Sequence, residues 1–295
     1  MIKVKIENLF KGYGKTKVLE GVSFEVRKGS IHGLIGPNGS GKTTLIKCLT
    51  GIYQPDQGSI CLDEEEIYDN PAAKMKMGYV ADSNDYYPNY RIKEMVKIYE
   101  AAYPTFSKED FDYYNEAMGL NVKKMIKQLS KGQKMRLALI LNLAIHPDIL
   151  ILDEPMEGID VIAKQQLFDM IINEVEEREM TVLITSHHLE EIENFCDSIT
   201  MIHEGKLTGT GSLDEVKEKA TKLQIVFPEG LPEGFAGWKG VLNFSNIGSI
   251  YTVIWEDFDE EKKELLYECG AAFVEEIPIS LEEIFLYMNK EGREQ

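Results

Sequence analysis

Gly36-Pro37-Asn38-Gly39-Ser40-Gly41-Lys42-Thr43-Thr44 is the stretch on which the fold turns. An apolar run, Ser30 to Ile35, leads into it, and a helical pattern from Lys42 to Thr50 leaves it. The spacing matches G-x-x-x-x-G-K-[ST] in the strand, loop and helix context that such a loop requires. Glycines let the chain curl so that successive backbone N–H groups point inward, and the N-terminus of the helix adds positive partial charge. Gly36, Asn38, Gly39, Ser40, Gly41, Lys42, Thr43 and Thr44 are therefore expected to cradle a nucleotide's phosphates. Lys42 would reach the β- and γ-phosphates, and the Thr43 hydroxyl is placed for Mg²⁺.

Farther along, Ile149-Leu150-Ile151-Leu152-Asp153-Glu154-Pro155 is an apolar strand that ends in two acids. A buried parallel strand delivers the residues at its carboxyl end into the crevice where ligands bind. Asp153 is then expected to support Mg²⁺, directly or through water. Glu154, one position on, could orient and deprotonate a water attacking the γ-phosphate, in a reaction where positioning and charge stabilisation do most of the work. Taken alone, such a pair also reads as an exposed acidic turn.

Between these motifs stands Leu129-Ser130-Lys131-Gly132-Gln133, which opens a second helix and so offers a second anion-binding helix end. The phosphate loop, this LSKGQ segment, ILILDEP and the histidine of Ile184-Thr185-Ser186-His187-His188 together resemble the ABC ATPase family, in that family's order, across roughly Lys3 to Gly211. The resemblance implies ATP and Mg²⁺ as ligands, and ATP hydrolysis to ADP and phosphate. It implies a homodimer or heterodimer of ATPase subunits in which Ser130, Gly132 and Gln133 complete the site of the opposite subunit. It also implies a separate transmembrane permease that receives the motion of dimer closure. Tyr13 matches the aromatic residue that stacks on adenine, although a buried strand tyrosine is the competing reading. Asp160 matches an aspartate at the dimer interface and also reads as an N-cap for the next helix. His187 matches the switch histidine at the γ-phosphate, whereas His188 reads as helix N-terminal surface.

Two positions depart from the family pattern. Asp82 comes after the strand Met77 to Ala81 where a glutamine is usual; it can accept from a Mg²⁺-bound water but cannot donate as an amide can. Lys131 stands in place of the first glycine of the LSKGQ segment, which is tolerable if its side chain projects outward. Tyr86, Tyr87 and Tyr90 read either as the lining of a groove for a membrane subunit's helix or as packing of the helical subdomain.

The 295 residues, 43% hydrophobic and 28% charged, suffice for a full core and a second, smaller domain. A formal charge of -18 gives no footprint for nucleic acid or anionic headgroups. More than half of that excess lies beyond Gly211. Cys48, Cys61, Cys196 and Cys269 form no C-x-x-C pair, and the opening MIKVKIENLF lacks a signal peptide's apolar centre, which fits a reducing cytosol. The strongest apolar run, Leu137 to Ile145, is too short to cross a bilayer. The expected placement is cytoplasmic, peripheral on the inner face of the cell membrane.

The expected fold is α/β: a P-loop NTPase core of ABC ATPase type over residues 1–218, with a mixed sheet and a helical subdomain near 88–142, then a small α+β domain over 222–295. Strands are read at Ile2 to Leu9, Gly21 to Val26, Asp148 to Leu152 and Thr181 to Thr185, with a helix from Val161 to Glu179. The C-terminal part, closing with Ile279 to Leu286, resembles the extension of ABC-2 type export ATPases, and reads either as an inert appendage or as a dimer regulator. A soluble ABC ATPase acting on ribosomes or DNA, and a catalytically silent nucleotide-binding regulator, are the alternative functions. The first lacks its usual tandem domains or coiled coil here, and the second is at odds with the intact Lys42, Asp153, Glu154 and His187.

Overall fold

The computed structural model describes residues 1–83, 86–155 and 159–288. The chain forms two compact units: Met1–His188 with Phe195–Leu207, and Leu189–Asn194 with the residues from Thr208 onward. The division comes earlier than the texture change near Lys219 to Lys222, because most of strand Lys206–Ser212 and helix Leu213–Lys217 group with the C-terminal strands.

The first unit contains β1 (Ile2–Tyr13), β2 (Thr16–Arg27), β3 (Ile31–Ile35), α1 (Lys42–Leu49), β4 (Gln57–Leu62), β5 (Glu65–Glu66), α2 (Pro71–Met75) and β6 (Met77–Val80). It continues through α3 (Ile92–Ala102), α4 (Lys108–Met118), α5 (Lys131–Leu143), β7 (Ile149–Asp153), α6 (Val161–Arg178), β8 (Thr181–Ser186) and, after the excursion at α7 (Leu189–Phe195), β9 (Ser198–His203).

Its parallel and antiparallel strands are distributed over two sheets. The antiparallel one runs β2-β1-β4-β5, and in the other β9-β3-β8-β7-β6 lie side by side, all parallel. The parallel strands β3, β7 and β8 are buried at every residue, which is why they read as unbroken apolar runs: both faces are covered. β1 behaves differently. Its register with β2 shifts between Ile6 and Leu9, where Asn8 takes a positive φ of 47°. Such a bulge breaks the two-residue alternation, so the strand looks finished at Leu9 but runs on to Tyr13.

The order β3-β8-β7 sets the carboxyl ends of three strands side by side, and from them come the loop before α1, the His187 segment and the acidic pair. β3 is anchored to β9 by His32, a buried histidine whose Nδ1 meets Ser198 Oγ at 2.8 Å and whose Nε2 meets Thr200 Oγ1 at 2.9 Å. Its ring stacks on Phe24, and burial pushes its pKa down to about 4. α3, α4 and α5 form the helical stretch between β6 and β7. α4 starts at Ser107, whose Oγ accepts from the Asp110 amide at 3.1 Å, and ends on left-handed Gly119. Tyr86 turns inward, its hydroxyl 3.4 Å from that of Tyr99, whereas Tyr87 and Tyr90 are exposed with ring centroids 5.0 Å apart.

The second unit takes most of α7 and of β10 (Lys206–Ser212), then α8 (Leu213–Lys217), β11 (Ala220–Val226), β12 (Val241–Ile247), β13 (Ile250–Glu256), α9 (Glu260–Glu268), β14 (Phe273–Ile277) and α10 (Leu281–Met288). β12-β13-β11-β14 form an antiparallel sheet whose core gathers Phe227, Phe235, Val253, Trp255 and Leu266. The Trp255 indole N–H donates to Lys239 O at 3.0 Å, satisfying its polar edge inside the cluster.

Candidate functional site

The loop after β3 is shaped by positions that no side chain could occupy. A Cβ at Gly36 would lie 2.3 Å from Ile202 O, and one at Gly41 would lie 2.8 Å from Leu19 Cδ2. Gly41 also has φ 107°, and as the N-cap of α1 it offers no side chain to the helix's first amides. Ser40 brings a buried hydroxyl that has no hydrogen-bond partner. Lys42, almost fully buried, folds back so that Nζ donates to Gly36 O at 2.7 Å and to Pro37 O at 3.3 Å. Burial holds its pKa below the usual lysine range, while the Glu154 and Asp153 carboxylates pull it back up.

Val18, Asn38, Gly39, Gly41, Lys42, Thr43, Thr44, Asp82, Asp153 and Glu154 line one open cleft. Nine of these ten are expected site residues, from the loop, the acid pair and the departure at Asp82; Val18 alone was not foreseen. Asp153 is buried and accepts from the Thr185 hydroxyl at 2.7 Å. Desolvation raises its pKa and the Thr185 hydrogen bond opposes that rise, while the charges of Glu154 and Asp82 add to it. Glu154 leaves the strand with a left-handed φ of 49°, its amide donating to Thr185 Oγ1 at 3.0 Å and to Thr185 O at 3.2 Å. Its Oε2 lies 2.8 Å from His187 Nδ1 and accepts from the His187 amide at 3.3 Å. A non-glycine residue in this conformation, held on both sides, belongs to the strained positions that cluster at reactive centres.

Tyr13, Ser130, Gly132, Gln133 and Asp160 are not among the residues that line this cleft. Tyr13 ends β1, 46% exposed rather than buried, with Tyr53 edge-on at 5.9 Å. Ser130 caps α5: its Oγ accepts from the Gln133 amide, and Gln133 Oε1 accepts from the Ser130 amide, both at 3.2 Å. Gly132, in the first turn of α5, is buried. Asp160 caps α6 through the Ala163 amide at 3.0 Å and pairs with Arg136 at 3.5 Å, so its capping role is present. The two departures meet: Lys131 Nζ lies 3.4 Å from Asp82 Oδ1. Besides Val18, Thr185 is a site residue that sequence reasoning missed. A signal existed only in the strand register, which sets Thr185 opposite Asp153.

An uncapped helix start, a buried unpartnered hydroxyl and a buried ammonium suit the oxygens of a phosphate chain. Thr43, Asp153 and Asp82 bring hard oxygen donors to the same cleft. No group of three or more potential metal-binding side chains occurs among the described residues. A hydroxyl and two carboxylates fit Mg²⁺, which binds through one or two carboxylates together with phosphate oxygens and water.

A family profile described as "ABC transporter" matches residues 19–157. The ABC transporter ATP-binding protein YtrB of Bacillus subtilis is 36% identical over 286 residues, covering 96% of this chain and 97% of its own. The bacitracin transport ATP-binding protein BcrA of Bacillus licheniformis is 33% identical, covering 74% of this chain and 72% of its own. Among solved structures, an ATP-binding subunit of an ABC transporter superposes with a TM-score of 0.67 at 26% identity, covering 73% of this chain and 92% of its own. The chain belongs to the ABC transporter ATP-binding proteins. It is an ATPase of that class, with the P-loop α/β fold its motifs foretold.

Proposed function

We propose that this chain is the ATP-hydrolysing subunit of an ABC exporter, which closes as a dimer around Mg-ATP and passes that motion to a separate membrane subunit. The observation that carries the reading is the convergence of Lys42, Thr43, Asp153 and Glu154 on one cleft, with His187 seated on Glu154. The α1 amides and Lys42 bind the triphosphate and offset its charge. Thr43 and Asp153, with Asp82 beside them, would hold Mg²⁺, which when bound would supply positive charge against the developing phosphate charge. Glu154 accepts the proton of the attacking water, and His187 fixes the carboxylate that receives it. Tyr13 stacks on the adenine.

Dimerisation is supported by the α5 tip: Ser130 is exposed and lies outside the chain's own cleft, free to meet a triphosphate held by another copy. A solved ATP-binding cassette described as dimeric and bound to ADP and Pi shares the fold, with a TM-score of 0.65. Placement on the inner membrane face rests on relatives named for transport, bacitracin and lantibiotic among them. No helix among the described residues is long and apolar enough to cross a membrane.

Glu154→Gln tests the reading. With ATP and Mg²⁺, hydrolysis is expected to fall by about 100-fold or more while a dimer accumulates on size-exclusion chromatography. Hydrolysis at the unaltered rate removes Glu154 from this role, and a strictly monomeric nucleotide-loaded variant removes the dimer.

A further inference from the structure

Thr185 occupies a central strand, between Leu34 of β3 and Asp153 of β7 in register, and is fully buried. Its hydroxyl does two things at once. It donates to Asp153 Oδ1 at 2.7 Å, and it accepts from the Glu154 amide at 3.0 Å. The Thr185 carbonyl takes the same amide at 3.2 Å, so one residue grips the backbone at the point where the chain turns into its left-handed step at Glu154. Two residues farther on, His187 holds the other end of Glu154 through Nδ1 and its amide. The acidic pair of β7 is thus held by the end of β8.

We infer that Thr185 is a positioning residue for hydrolysis: its hydroxyl fixes the Asp153 carboxylate and the Glu154 backbone as one unit. The inference rests on the proposed roles of those two acids. A β-branched side chain suits the task, because its restricted χ1 leaves the hydroxyl little freedom to wander. Donation to Oδ1 uses up one carboxylate oxygen from within the protein, which orients the other. Because the charged acceptor is buried, losing this donor leaves an oxygen that no water readily serves. A misplacement of reacting groups by about 1 Å is enough to lower turnover by about 100-fold.

The test uses the full chain with Thr185→Val, which keeps the shape and removes the hydroxyl, Thr185→Ser, which keeps the hydroxyl, and Thr185→Ala as a second hydroxyl-free variant. ATP turnover is measured alongside binding of a fluorescent ATP analogue in EDTA and in Mg²⁺, with thermal melting to verify folding. Thr185→Val and Thr185→Ala are expected to lower kcat by about 10- to 100-fold, with the affinity in EDTA within about threefold of the parent. The gain in affinity on adding Mg²⁺ should shrink in both, and Thr185→Ser should restore kcat to within about threefold. A folded hydroxyl-free variant with parental kcat overturns the inference, and so does a Thr185→Ser as impaired as Thr185→Val. Glu154→Gln run in parallel separates the two levels. If it abolishes hydrolysis while Thr185→Val is silent, only the positioning role fails; if it hydrolyses normally, the underlying reading fails as well.

Discussion

The two helix starts expected to face phosphate are built in opposite ways. α1 begins at the loop that lines the cleft, where the N-cap Gly41 is itself buried and gives no side chain to the first amides. α5 begins at an exposed serine locked in a reciprocal box with Gln133. A terminus left uncapped inside a protein must find its acceptor elsewhere, and α1 therefore reads as a receptor for an anion. A terminus already capped is stable on its own, and α5 can stand at the surface as a finished tip. The first is specified by what glycine leaves out, the second by what serine and glutamine put in.

The largest way to break this contrast is Gly41→Ala. The added methyl would meet Leu19 Cδ2 at 2.8 Å and would sit on a backbone at φ 107°, a conformation that costs on the order of 1 to 3 kcal/mol for a residue with a side chain. Affinity for a fluorescent ATP analogue is expected to fall at least about tenfold.

A second effect tests how far α1 depends on the core behind it. His32 sits in the strand that feeds the loop, and its folded pKa of about 4 lies below the ordinary value of 6.5. The unfolded chain therefore binds more protons, so this stabilisation is fully present above pH 6.5 and is lost as pH falls toward 4. Urea melts are expected to show a loss on the order of 1 kcal/mol from this residue by about pH 5.5, and His32→Gln should flatten that slope. The smallest effect belongs to the capped tip. Gln133→Ala removes half of the box and should lower stability by about 0.5 to 1 kcal/mol, read from the urea midpoint.

What is legible in the sequence divides in the same manner between local and non-local causes. The strand, loop and helix around Lys42 are legible because glycine spacing and unbroken apolar runs are local signals. So is the Ile149–Asp153 strand, buried on both faces. β1 reads short, since a bulge at Asn8 interrupts the alternation without ending the strand. Thr185 escapes notice because a threonine in an apolar run looks like any strand residue until register sets it across from Asp153. The pairing of Lys131 with Asp82 is equally hidden: each reads alone as an oddity, and only the fold makes them neighbours. In the second unit the order β12-β13-β11-β14 is decided by long-range pairing that no window of sequence contains.

The posture of Lys42 carries a consequence of its own. Its ammonium is held by the carbonyls of Gly36 and Pro37, so the loop is tied to its own cation. On the proposed function, a triphosphate entering here would replace one set of acceptors with another instead of stripping water from a bare charge. Selectivity would then arise from the exchange: a weakly charged or singly anchored anion would not match two carbonyls, whereas a polyanion gripping the helix start at the same moment would displace them.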